Sequence, residues 1–382
     1  MKKDNLSIIA LGDIALYGVL SEKLKIKNKF NPFVNLKNEF KRADLVIGNL
    51  ENPLTDSKKE IKKAINVAAN PNFSRILHEN NINIVTLGNN HIFDRNLEGF
   101  KETKEKLKKE KIKFFGGGED IDEAKKLLKI KFKNCTVGFI GYCDESTNGI
   151  FCTSNNYGCV KLDINEMIED IKNIRKEVDF LIVSLHWGVE FYNYPSPEQI
   201  KYAHKIIDSG ADFVWGHHSH VIQGVEMYKE KLIAYNLGNF IISDIIEKEK
   251  IRIQKEEAKK SFILKLNLEE SQIKNFEIIP IKLNEEFNPI LMVDEERINF
   301  LNFIDKISKE LKSKDYGKFW REYVRQRENN EIKNGLMQIF KHPRMIKKIK
   351  DLPLKYFFVG LPRFIFSKIF GRKKWLGKFY GK

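Results

Sequence analysis

Short apolar runs that break off into glycine and polar residues alternate with stretches of helical periodicity over the first 240 residues. The runs predict strands at 6–11, 45–48, 82–87, 113–115, 137–142, 180–185, 213–215 and 232–236. Between them the 3.6-residue pattern predicts helices at 71–80, 97–109, 164–176 and 197–209. Strands apolar at nearly every position and separated by helices read as a layered α/β sandwich whose sheets are buried on both faces. Residues 261–268 and 273–281 then read as a closing β-hairpin, and 294–311 as a helix with Asp294 at its N-cap. This pattern predicts a main domain over 1–312, a helical extension over 313–340 and a basic, aromatic tail over 341–382.

The apolar runs end on a particular set of side chains. Ile8-Ile9-Ala10-Leu11 runs into Gly12-Asp13, and Leu45-Val46-Ile47-Gly48 into Asn49-Leu50-Glu51. Ile84-Val85-Thr86-Leu87 runs into Gly88-Asn89-Asn90-His91, with Asp94 three residues on. Leu181-Ile182-Val183-Ser184-Leu185 delivers His186-Trp187, and Phe213-Val214-Trp215 delivers Gly216-His217-His218-Ser219-His220. The C-terminal edge of such a sheet is where open α/β folds build their sites. Five of the eight histidines and two carboxylates therefore converge on one rim, which predicts a metal centre.

Its donors are nitrogen and oxygen without thiolate, a set that suits Mn²⁺, Fe²⁺ or Zn²⁺ and does not choose among them. Two ions about 3.5–4 Å apart would need a bridging carboxylate and would ionise a shared water near neutral pH; a single ion is the alternative. The four cysteines, Cys135, Cys143, Cys152 and Cys159, form no C-x-x-C pair and read as reduced thiols in or beside strands.

Charge sharpens the division of the chain. Of the net +15, residues 341–382 carry +12, from 13 Lys/Arg against Asp351, so the body is close to neutral. Nucleic acid is thereby disfavoured as a partner of the body. The tail interleaves Phe364, Phe370, Trp375 and Phe379 with Arg363, Lys368, Arg372 and Lys378, the pattern of an interfacial helix on an anionic membrane. No run approaches a membrane span and the N-terminus lacks a signal-peptide pattern, so the expected location is cytoplasmic, peripheral on the inner face of the membrane.

Taken in order, these motifs resemble the CapA family of capsule (poly-γ-glutamate) synthesis proteins, whose core is similar to calcineurin-like metallophosphoesterases. The likeness rests on Gly12-Asp13, Asn49-Leu50-Glu51-Asn52-Pro53-Leu54-Thr55, Asn89-Asn90-His91 with Asp94, His186-Trp187-Gly188-Val189-Glu190-Phe191, Gly216-His217-His218-Ser219-His220 and Tyr235-Asn236-Leu237-Gly238-Asn239-Phe240. The resemblance implies that Asp13 and His220 serve one metal position and Asn90, His186 and His218 the other, with Glu51 between them. It further implies His91 as general acid, with His217, Asp94, Trp187 and Asn239 binding substrate or supporting the ligands. Two positions depart from ordinary metallophosphoesterases: Ala15 stands where their first motif has His, and Glu51 where they bridge with Asp. The CapA family shows both changes.

The function expected on this footing is capsule or cell-surface polymer biosynthesis by a metal-dependent hydrolase. Metal-bound hydroxide would attack a phosphoester or a poly-γ-glutamate-type amide, so the partner is the surface polymer or its precursor. The alternatives are a non-catalytic component of polymer assembly or export and a cytosolic nucleotide phosphodiesterase.

Overall fold

The computed structural model describes residues 5–26, 30–247 and 250–340. The chain divides into two compact units, Met1–Lys314 and Asp315–Lys382. Of the second unit, one helix is described, Tyr316–Phe340. The aromatic, basic segment 341–382 lies outside the described residues.

In the first half of the chain the strands are β1 (Asn5–Ile14), β2 (Leu45–Leu50), β3 (Ile84–Thr86), β4 (Lys113–Phe115), β5 (Gly117–Gly118), β6 (Leu128–Phe132), β7 (Cys135–Cys143), β8 (Gly158–Cys159) and β9 (Phe180–His186). The second half adds β10 (Phe213–His217), β11 (Val225–Tyr228), β12 (Lys231–Ala234), β13 (Asn239–Ile241), β14 (Ile245–Glu247), β15 (Lys250–Arg252), β16 (Lys260–Glu269), β17 (Gln272–Leu283) and β18 (Pro289–Leu291). One sheet runs β18-β17-β16-β1-β2-β3-β4, with β13 also paired to β1. The other runs β11-β12-β10-β9-β7-β6. Within each, the central strands are parallel, β1 to β4 in the first and β7, β9, β10 and β12 in the second.

Alternation along the strands decides how the layers stack. Ile8, Ala10 and Ile47 share a core with Phe139, Phe180, Ile182, Phe213 and Trp215, so one face of each sheet packs against the other sheet. Ile9, Leu11, Val46 and Val85 point the other way, into a second core with Leu20, Phe40, Phe73, Leu77 and Phe100 from helical segments. The result is the layered α/β sandwich expected from the apolar runs. Capping chemistry fixes where helices start: Ser196 and Gln199 form a reciprocal capping box ahead of Pro197–Asp208, and Asp163 accepts from Asn165 and Glu166 N–H ahead of Ile164–Ile174.

The structure corrects two local expectations. Helix Asp294–Glu310 has Val293 at its N-cap with no side-chain cap, and Asp294 sits inside the first turn. There, with Glu295 and Glu296, it complements the positive end of the helix dipole. Edge strand β6 lies outside the expected strands because those were placed on unbroken apolar runs, whereas its Leu-Lys-Ile-Lys-Phe alternation is the period of a half-exposed strand. All four cysteines are free and buried.

Candidate metal centre

Each strand end is shaped to bring a donor into the cleft between the sheets. β1 runs so close to the 237–239 turn that a Cβ on Gly12 would lie 1.8 Å from the Gly238 carbonyl oxygen. Only glycine fits there, and Asp13 N–H then donates to that carbonyl at 3.0 Å. Asn49 and Glu51 lie two residues apart at the end of β2, on the same side as Ile47. His186 ends β9 and His217 ends β10, directly opposite one another in register. Beyond β10 the backbone bends through the left-handed region at His218 (φ 92°) and His220 (φ 59°). Non-glycine residues adopt that conformation only where the surroundings hold them, and such places cluster at functional sites.

The donors gather into two sets that share Glu51. Glu51, His186 and His218 form one, and Asp13, Glu51 and His220 the other, with the ligand atoms of each set within 4.8 Å of one another. Glu51 Oε1 lies 3.5 Å from His186 Nε2; Glu51 Oε2 lies 3.9 Å from His220 Nδ1, but that nitrogen's proton goes to Asn239, which leaves Nε2 as the ligand atom of His220. Asn90 joins the first set, its Oδ1 2.9 Å from His186 Nε2, because its amide nitrogen is drawn away to the Thr147 carbonyl.

Hydrogen bonding tests whether a cation fits. Both Glu51 oxygens and His218 Nδ1 are buried and lack any hydrogen-bond partner among the described residues. A buried polar group is normally paired, so three unpartnered lone-pair atoms gathered at one cleft form a site suited to a divalent ion. Electrostatics agrees. Burial, followed by the charges of Asp13 and Glu190, pushes the Glu51 pKa well above its usual range. Burial, reinforced by neighbouring histidines, holds His186 well below its ordinary value and His218 down to about 3, which keeps both rings neutral and able to bind metal. Burial alone would raise Asp13, but the His217 ring beside it, the charge of His220 and the Asn49 hydrogen bond together lower the pKa.

The remaining expected residues surround this centre. His91 donates Nδ1–H to Asp94 Oδ2 at 2.7 Å, which leaves Nε2 unencumbered. His217 is fully buried, with Nδ1 3.1 Å from Asp13 Oδ1 and its ring edge-on to Trp215, so it steadies Asp13. Asn239 commits its amide nitrogen to the His220 and Ala258 carbonyls, so its Oδ1 accepts from His220 Nδ1 at 3.0 Å and fixes that ring's tautomer. Trp187 is turned into the core: it is buried, stacks on Tyr235 and donates Nε1–H to the Tyr235 carbonyl. It therefore packs the turn behind His186 and offers no face to a substrate.

Two residues of the centre carried no role in the sequence reading. Asn49 donates to Asp13 Oδ1 at 2.8 Å and accepts from Asn89 at 3.0 Å; Asn89 Oδ1 in turn receives the N–H groups of His91 and Ile92. This pair of amides ties the β1, β2 and β3 ends together. Their presence in the quoted motifs was the available signal, and the alternation of β2 places Asn49 beside Glu51.

Residues 7–244 match the family described as "Bacterial capsule synthesis protein PGA_cap". The chain is 29% identical over 285 residues to the PGA biosynthesis protein CapA of Bacillus subtilis (strain 168), covering 74% of this chain and 73% of that protein. It is 29% identical over 248 residues to the capsule biosynthesis protein CapA of Bacillus anthracis, covering 63% of this chain and 60% of that protein. Among solved structures, a putative 5'-nucleotidase from Staphylococcus aureus aligns at 15% identity with a TM-score of 0.46, over 79% of this chain and 58% of that one. No helix among the described residues is long and apolar enough to cross a membrane.

Proposed function

The chain belongs to the bacterial capsule synthesis protein PGA_cap family, and from that membership we propose that it is a metal-dependent hydrolase of cell-surface polymer biosynthesis. Its substrate is a phosphoester of a polymer precursor or an amide of the poly-γ-glutamate kind. The observation that carries the reading is Glu51: a buried carboxylate with no hydrogen-bond partner, common to two sets of nitrogen and oxygen donors.

Asp13, Glu51 and His220 would hold one divalent ion, and Glu51, Asn90, His186 and His218 a second; the nitrogen and oxygen donor set suits Mn²⁺, Fe²⁺ or Zn²⁺ and does not choose among them. A cation bound there supplies Lewis acidity and makes water nucleophilic at neutral pH. The protein's own groups do the rest. His91, its Nδ1 occupied by Asp94, presents Nε2 to protonate the departing oxygen or nitrogen. Burial outweighs the Asp94 bond and holds the His91 pKa below its ordinary value, so the ring is neutral near pH 7 and Nε2 must take up a proton, as from the attacking water, before it delivers one to the leaving group. Asn49 and Asn89 keep the strand ends in register while this happens. The tail 341–382 is proposed to bring the chain to an anionic membrane surface.

The test is elemental analysis of the purified protein together with hydrolysis of a generic phosphodiester and of a γ-linked glutamate oligomer. The expected result is bound divalent metal and cleavage of one substrate by wild type, with the rate lowered on the order of 10²–10⁴-fold in His91→Ala. Wild type that binds no metal and cleaves neither substrate refutes the hydrolase and favours a non-catalytic role in polymer assembly or export.

A further inference from the structure

Lys63 lies between β2 and the helix Phe73–Glu79, in a lysine-rich stretch with Lys58, Lys59 and Lys62. Those three are exposed, whereas the Lys63 side chain is only 14% exposed. An ammonium drawn this far out of water requires acceptors. It finds them in one place: Nζ donates to the Asn90 carbonyl at 2.8 Å and stands 3.3 Å from Asp94 Oδ1. The His91 ring is its third neighbour, with Nδ1 at 3.4 Å. That approach is charge proximity alone, because the Nδ1 proton already goes to Asp94.

Asp94 is the point at which this segment is fastened. Its Oδ2 accepts from Val67 N–H at 2.9 Å as well as from His91, and its carbonyl receives Ile61 N–H. Residues 63 and 67 therefore grip one buried carboxylate, and residue 61 grips the backbone carbonyl of the same Asp94. Lys63 alone among them also grips Asn90.

We propose that Lys63 is a positioning residue of this centre: its ammonium fixes the Asn90 carbonyl and the Asp94 carboxylate together, holding the Asn90 side chain against His186 and the His91 ring with Nε2 free. The assignment rests on the reading of Asn90 as a metal donor and of His91 as a proton donor. Nothing about Lys63 in the sequence separates it from its three neighbours; its selection comes from burial and from contacts that span 27 to 31 residues.

The experiment uses the full chain with Lys63→Met and, as a control for charge on the same segment, Lys62→Met. Two measurements need no substrate: Mn²⁺ affinity by calorimetry, and the ¹⁵N spectrum of the histidine rings in metal-free protein, with His91 assigned by its loss in His91→Asn. Lys63→Met is expected to weaken Mn²⁺ binding by about tenfold or more, the usual effect of losing a group that supports a ligand. It should also move His91 from the pure Nδ1–H form to a mixture of tautomers, while Lys62→Met changes neither. Lys63→Gln carries the same two readings if Lys63→Met does not fold. A neutral variant that keeps the wild-type His91 signal and binds Mn²⁺ within twofold of wild type overturns the proposal, as does an equal loss in Lys62→Met. If wild type takes up no Mn²⁺, the ring spectrum decides. Absence of hydrolysis by wild type would tell against the proposed function and leave both readings interpretable.

Discussion

Replacing Glu51 by Gln should make the metal-free protein more stable and the metal-loaded protein less so. The side chain is 1% exposed and neither oxygen has a partner. Burial first, then the charges of Asp13 and Glu190, raises its pKa above the usual 4.5. The folded chain thus holds this proton more tightly than the unfolded chain does. The stability linked to it is fully present below about 4.5 and is lost as pH rises through the higher folded value. Gln keeps the shape and has nothing to ionise, so the variant escapes that loss. In the presence of chelator the two proteins should melt together near pH 4.5 and diverge above it. At pH 8 the variant should be ahead by about 1–2 kcal/mol, because its amide is as unpaired as the carboxyl but carries no charge into the buried site. In a unit of this size that is a few degrees of Tm. Manganese at a hundred times its Kd then stabilises wild type by about 2.7 kcal/mol, whereas the variant, without the carboxylate common to both donor sets, gains nothing. Scanning calorimetry at pH 4.5 and pH 8, with chelator and with Mn²⁺, reads all four states. A variant that is less stable than wild type at pH 8 in chelator, or that rises with Mn²⁺ as wild type does, refutes the reasoning.

Asn239→Ala frees His220 Nδ1 and should weaken Mn²⁺ binding by roughly 10–100-fold, measured by calorimetry, with a lower Tm in chelator because the His220 and Ala258 carbonyls lose their donor; unchanged affinity would show that Asn239 only packs the turn. Deleting residues 341–382 should abolish pelleting with vesicles that contain anionic lipid, and equal pelleting of both chains sinks the membrane role.

The strands were readable because each apolar run stops where a side chain must face the cleft. In β9, Phe180 and Ile182 pack between the sheets, and His186 continues that side to the sheet edge. The same alternation explains why Trp187, one residue later, turns into the core despite its place in a motif. What stayed hidden depends on partners far away in sequence. Asn49 matters through Asn89, 40 residues on, and Lys63 through Asn90 and Asp94. Neither distance leaves a period or a spacing. Asp294 was placed one position too early in its helix because an N-cap preference cannot separate a cap from an acidic first turn.

These features also explain why the rim must sit on so rigid a frame. His218 and His220 in left-handed backbone cost about 1–3 kcal/mol each, and Glu51 adds an uncompensated buried carboxylate. A loop free to relax would shed the strain at both histidines. It is prevented from relaxing at both ends. Gly216 passes so close to the Tyr235 carbonyl that a Cβ there would lie 1.9 Å away, and Ser219 accepts Phe191 N–H at 2.7 Å. Behind the loop stand Trp187, Trp215 and Tyr235, each fully buried or nearly so, at about 1.5–3 kcal/mol apiece for a large side chain. The packing that offsets the strain is therefore local to the strain, and loosening it should release the histidines before it unfolds the sheets.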